Sequence, residues 1–147
     1  MPFANKKTPE ELAALDRNVL HILLRCQGKA NAIDRWALVK QVFGGVVLPE
    51  FQNDDNVYDR DIRYSVGRLR EAGHLICDLG DGKGRWMAAN EKEWWEFYSY
   101  YVKPIKSRAE VIRAMKKAAT ERWPNLMQPS LFDLSDLDVS SVTPMIW

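Results

Sequence analysis

Six side chains between Arg60 and Arg85 have the types and spacing to grip a polyanion. Arg60, Arg63, Tyr64 and Arg68 recur at three- and four-residue intervals, which places them on one face of a helix. Lys83 and Arg85 follow on the turn Gly80-Asp81-Gly82-Lys83-Gly84 and its return strand. Guanidinium groups pair with phosphate oxygens or with guanine edges, and a helix fits the DNA major groove. The Tyr64 hydroxyl can donate to phosphate. Gly67 falls on the same face, where a missing side chain permits close approach at a cost of about 1 kcal/mol relative to Ala. The competing reading is a solvated face, because Asp59, Asp61 and Glu71 stand among these cations.

A second cluster lies in the C-terminal tail. In Gln128-Pro129-Ser130-Leu131-Phe132, two adjacent apolar anchors sit in a polar surround with nothing local to bury them. Gln128 can supply amide hydrogen bonds at a groove rim, and Pro129 lowers the entropy lost on ordering. Alternatively Leu131 and Phe132 fold back on the domain, with Leu134, Leu137, Val139, Val142, Met145, Ile146 and Trp147 as further apolar tail residues.

Catalysis and metal binding have less to stand on. His21, Cys26, His74 and Cys77 are the soft-ligand candidates, but Cys26 lies on an apolar stripe that His21 points away from. His74 and Cys77 point to opposite faces of a strand start. Asp54-Asp55 and the Asp59, Asp61 pair suit caps and loop polarity better than acid–base work. There is no phosphate loop and no dinucleotide fingerprint. The expectation is a non-enzymatic protein with no cofactor and no metal.

The elements that must position these residues can be read in order. Thr8-Pro9-Glu10-Glu11 opens a first helix by capping, with Leu12, Leu15, Val19, Ile22, Leu23 and Cys26 on one stripe and Gly28 as its end. Ala32, Trp36, Val39, Val42 and Phe43 form a second stripe that stops at Gly44-Gly45. A loop rich in polar residues runs to about Asp55. The third helix starts near Asn56 to Asp59 and ends at Gly73, with Tyr58, Ile62, Val66 and Leu69 inward. Leu75-Ile76-Cys77 and Arg85-Trp86-Met87-Ala88 pair across the glycine turn. Asn90 and Glu93 cap a fourth helix rich in aromatics, Trp94, Trp95, Phe97, Tyr98 and Tyr101, which Pro104 is expected to break or kink. A fifth helix runs to about Trp123, and from Pro124 the periodicity is lost.

The bulk numbers fit this plan. A chain of 147 residues, 46% hydrophobic, suits one modest domain plus a tail. The net charge is only +1, yet seven basic against two acidic residues between Tyr101 and Arg122 give that stretch +5, while Asp133, Asp136 and Asp138 make the tail acidic. Two cysteines and no signal peptide point to a reducing, cytoplasmic setting, and no apolar run suits a membrane.

The order helix, helix, helix, strand, turn, strand over roughly Leu12 to Ala89 resembles the winged helix-turn-helix fold. The wording Arg60-Asp61-Ile62-Arg63 through Leu69-Arg70-Glu71-Ala72-Gly73-His74-Leu75-Ile76-Cys77 resembles a type common in bacteriophage proteins. One departure is the connection between the second and third helices, some ten residues where about 3 to 4 are usual. The tail peptide resembles the sliding-clamp-binding motif of bacterial replication and repair proteins, matching at Gln128, Ser130, Leu131 and Phe132.

These resemblances imply a mainly α fold with a small β-hairpin: a winged helix-turn-helix domain over 1–89, a helical extension of two helices over 90–123, and a flexible tail over 124–147. They imply double-stranded DNA held by Arg60, Arg63, Tyr64, Arg68, Lys83 and Arg85. They also imply a sliding clamp held by Gln128, Leu131 and Phe132, in a bacterial or phage-infected cell. Two alternatives remain open. One is a transcriptional repressor that dimerises through the fourth helix. The other is a phage-encoded inhibitor that turns the same fold against a host protein.

Overall fold

The computed structural model describes residues 6–44 and 56–125. The chain divides into two compact units, Met1–Trp94 and Trp95–Trp147.

In the first unit, α1 (Pro9–Leu23) begins with a complete capping box. The Thr8 hydroxyl accepts from the Glu11 amide at 3.2 Å, and the Glu11 carboxylate accepts from the Thr8 amide at 3.1 Å. The helix ends at Leu23, five residues before Gly28, which instead opens a single 3-10 turn over Lys29–Asn31 with φ 86°. Asp34 caps α2 (Arg35–Phe43) by accepting from the amides of Trp36 and Ala37. Asn56 caps α3 (Val57–Glu71) through the Asp59 amide at 3.0 Å. At its other end Gly73, with φ 97°, closes α3. The His74 amide reaches back to the Leu69 carbonyl and the Gly73 amide to that of Arg70, a Schellman-type stop.

The hairpin is short. β1 (Ile76–Cys77) and β2 (Trp86–Met87) run antiparallel, Ile76 opposite Met87 and Cys77 opposite Trp86. The far side of β2 is also paired. Gln27 bridges to Met87 and Ile33 to Arg85, so the α1–α2 connection lies along β2 as a third, irregular line of backbone. The Ile33 and Arg85 amides and carbonyls exchange bonds of 2.8 and 2.9 Å. This contact dictates Gly84, because a Cβ there would overlap the Ile33 carbonyl.

The core fills the space between α1, α2, α3 and the hairpin. Val19, Leu23, Leu38, Val39, Ile62 and Ile76 are fully enclosed, and Leu15, Ile22, Val66, Leu69 and Met87 complete the cluster. Each such side chain contributes roughly 1.5–3 kcal/mol on burial. Tyr58, expected inside, is half-exposed and packs its ring on Phe43 at 4.9 Å. Both cysteines are free and buried, and burial pushes the Cys77 thiol up to about 11.

After β2 the chain enters α4 (Glu91–Arg122), one continuous helix where two were expected. Pro104 removes one amide, which leaves the Tyr100 carbonyl without its helical donor. Both residues lie on the exposed surface, so water can satisfy that carbonyl and the helix continues. In the second unit the rings of Trp95 and Tyr98 meet edge to face at 5.1 Å, and those of Phe97 and Tyr101 lie 5.2 Å apart. No helix among the described residues is long and apolar enough to cross a membrane.

Candidate nucleic-acid interface

Helix α3 has two charged systems, one turned into the fold and one turned out. The inward system centres on Asp59, which is fully buried. Arg35, from the start of α2, donates to both of its oxygens, Nε to Oδ1 at 2.9 Å and Nη2 to Oδ2 at 2.7 Å. Arg63, one turn along α3, adds Nε to Oδ2 at 3.2 Å. Two cations on one buried carboxylate, one of them bidentate, fix α2 against α3. The Arg35 guanidinium also lies over the Trp36 ring at 4.6 Å.

A second inward pair joins α1 to α3. Arg68 grips Asp16 with bonds of 2.8 to 3.2 Å, and the buried Ser65 hydroxyl donates to the same carboxylate at 2.6 Å. Burial raises the pKa of Asp16. The hydrogen bonds from Arg68 and Ser65, with the Arg68 charge, outweigh it and hold the carboxyl below its ordinary value. The Asp16 hydrogen bond in turn raises the guanidinium of Arg68. Arg68 was expected to project outward with Arg60 and Arg63. It is instead a tie across the helix pair, because its position borders the buried Ser65 and Leu69 and the nearest anion lies on α1.

Arg85 was expected on the return strand of the wing, within reach of an adjacent phosphate. Its side chain is only 12% exposed, where the hairpin loop enters β2, with Asp78 4.0 Å away. Burial lowers its pKa, and the charges of Asp78 and Asp59 oppose that shift. Its Nε and Nη1 are buried without a hydrogen-bond partner among the described residues. The cause is its backbone, which is locked to Ile33 on one side of β2. Arg70 reinforces the same corner, donating to the Ile76 carbonyl at 2.9 Å and to Asp78 at 3.1 Å.

The outward system is smaller. Arg60 is exposed and makes no ion pair among the described residues, and Tyr64 is 62% exposed. Arg63 keeps about half of its side chain in solvent while it pairs with Asp59. Asp61 on the same helix pairs with Lys7 at 3.3 Å rather than with Arg60. A Cβ at Gly67 would meet no atom within 4 Å, so the surface beside Tyr64 is open. Lys83 is exposed in the hairpin turn, where its amide bonds the Asp81 carboxylate at 3.0 Å.

Four of the six expected residues thus reach solvent, Arg60, Arg63, Tyr64 and Lys83, although Arg63 also holds the buried Asp59, and Arg68 and Arg85 are turned into the fold. Arg35 was missed in the sequence, although Asp59 gave a signal. It stands three residues before Ile62 and seven before Val66, in phase with the buried face, and a carboxylate there demands a cation. The peptide from Gln128 to Phe132 lies outside the described residues. No family model, curated protein or solved structure matches this chain.

Proposed function

We propose that this protein is a non-enzymatic DNA-binding protein with a winged-helix domain of the phage type. In this reading α3 lies in the major groove and the hairpin turn reaches the neighbouring backbone. The observation that carries it is the outward face of α3. Arg60 and Tyr64 stand in solvent and Arg63 keeps about half of its side chain there, beside Gly67, where a Cβ would meet no atom within 4 Å. The backbone of Gln27 to Ile33 beside β2 supports the same architecture, since it holds the hairpin against the helices. Arg60, Arg63, Tyr64 and Lys83 contact DNA, and Arg68 and Arg85 act as positioning residues.

The second half of the proposal is that Gln128, Leu131 and Phe132 dock on a bacterial sliding clamp, which places the protein near replication. Titration against a purified clamp tests it. The intact chain binds in the micromolar range, and the Leu131→Ala, Phe132→Ala double variant does not. A clamp that ignores the intact chain removes this half and leaves DNA binding to stand alone.

One observation favours a different partner for α3. Three of its four arginines are already paired, Arg63 with Asp59, Arg68 with Asp16 and Arg70 with Asp78, and Val57, Tyr58 and Tyr64 are exposed on its surface, a mixture that suits a protein groove as well as a phosphate backbone. The inhibitor reading predicts no salt-dependent binding to any duplex. The repressor reading predicts a stable dimer and one palindromic site.

A further inference from the structure

We infer that residues 126–147 dock on an exposed apolar arc of α4, so that the chain covers its own helix. Ile105, Val111, Ile112, Met115 and Trp123 are 40–60% exposed. At the helical spacing of about 100° per residue they fall within one arc of about 120°. Lys103, Lys106, Arg113 and Lys117 fall on the opposite face, while Arg108 and Arg122 stand within the arc and give it a cationic share. Large apolar groups gathered on one face of a helix mark a surface that something covers.

Three observations select the tail as the occupant. The first is position. The helix ends at Arg122, Pro124 and Asn125 form a turn, and residues 126–147 continue from there. The second is reach. The arc from Ile105 to Trp123 is about 27 Å long at a helical rise of ~1.5 Å, whereas residues 126–147 span up to about 70 Å when extended. The third is composition. Leu131, Phe132, Leu134, Leu137 and Val139 are interleaved with Asp133, Asp136 and Asp138, so the segment brings apolar groups and three negative charges to a stretch of net charge +5. A second copy of the helix would bring +5 against +5. Tethering supplies an effective concentration of order millimolar, so weak contacts suffice.

This docking uses the same Leu131 and Phe132 as the sliding-clamp reading, and a clamp would have to displace them. It needs no clamp and is tested without one. The full chain carries a spin label at Ser140→Cys. The buried Cys26 and Cys77 have raised thiol pKa values and react slowly, and the native chain put through the same labelling is the control. The expected result is loss of the methyl signals of Ile105, Ile112 and Met115 through paramagnetic broadening, unchanged on dilution. The signals return in an Asp133→Lys, Asp136→Lys, Asp138→Lys variant. Methyls that keep their full signal overturn the proposal. So does signal loss in a mixture of spin-labelled and isotope-labelled copies, which would assign the arc to a second copy. Broadening that persists in the charge-reversed variant overturns it as well.

Discussion

Helices α3 and α4 are both amphipathic, but they resolve their apolar faces in opposite ways. In α3 the inward face is closed so completely that Asp59 and Ser65 are enclosed with Ile62 and Val66. Each buried polar group there has a named partner on α1 or α2. In α4 large apolar groups such as Val111 and Met115 stay about 60% exposed. The difference separates a helix whose sequence is committed to folding from one with surface left for something else. It also sorts the arginines, since Arg68 ties α3 to α1 while Arg60 stands exposed with no ion pair among the described residues.

The sharpest way to break this comparison is to make one substitution in both helices. Ile62→Ala removes a fully enclosed side chain and costs about 2–5 kcal/mol. Ile112→Ala, at 40% exposure and with only the weak contacts of a docked tail to lose, costs far less, within about 1 kcal/mol. Denaturant unfolding of the two variants measures both, and equal losses would erase the distinction.

Removing the buried carboxylate comes next. Asp59→Ala leaves Arg35 and Arg63 facing an empty buried site and costs about 2–4 kcal/mol. The upper range for buried pairs is not reached, because both guanidinium groups are a third or more exposed and can rehydrate. Asp61→Ala, at the surface pair with Lys7, should move the midpoint far less, within about 1 kcal/mol.

Gly67→Ala sharpens the outward side. The new Cβ meets no atom within 4 Å, so thermal unfolding should report a gain of about 1 kcal/mol in helix stability. If α3 enters a groove, the same variant binds DNA more weakly. A variant that gains stability and binds equally well would show that Gly67 is not at the contact.

The smallest effect is the pH dependence of the α1–α3 tie. The folded Asp16 carboxyl lies below its ordinary 3.8. Its contribution is therefore fully present above that value and is lost as pH falls through the folded pKa. Asp16 and Arg68 are partly exposed, so the loss stays under about 1 kcal/mol. Acid unfolding of the native chain and of Asp16→Asn should converge below pH 3.8 and separate above it.

How far the sequence carried the reading differs from place to place for physical reasons. The Thr8–Glu11 box, the Asn56 cap and the Gly73 stop were legible because each is a local hydrogen-bond pattern. The hairpin was legible from its glycine turn. The pairing of Ile33 with Arg85 was not, because it joins residues far apart in sequence, and with it went the true place of Arg85. Arg68 was misplaced for the same reason, since its partner Asp16 lies on another helix. Pro104 misled because local propensity favours a break, whereas the exposed flank of a long helix tolerates the lost bond.

In the proposed function Arg60, Tyr64 and Lys83 meet DNA while Arg68 and Arg85 hold the fold. This assignment is tested most directly by fluorescence anisotropy on a labelled duplex between about 50 and 200 mM salt. The native chain is compared with an Arg60→Ala, Tyr64→Ala, Lys83→Ala variant of unchanged unfolding midpoint. Salt-dependent binding by the native chain and weaker binding by the variant are expected. The slope of log affinity against log salt should fall by about 2, one unit for each lost cation. Unchanged affinity in the variant, or no salt-dependent binding by the native chain, would contradict it.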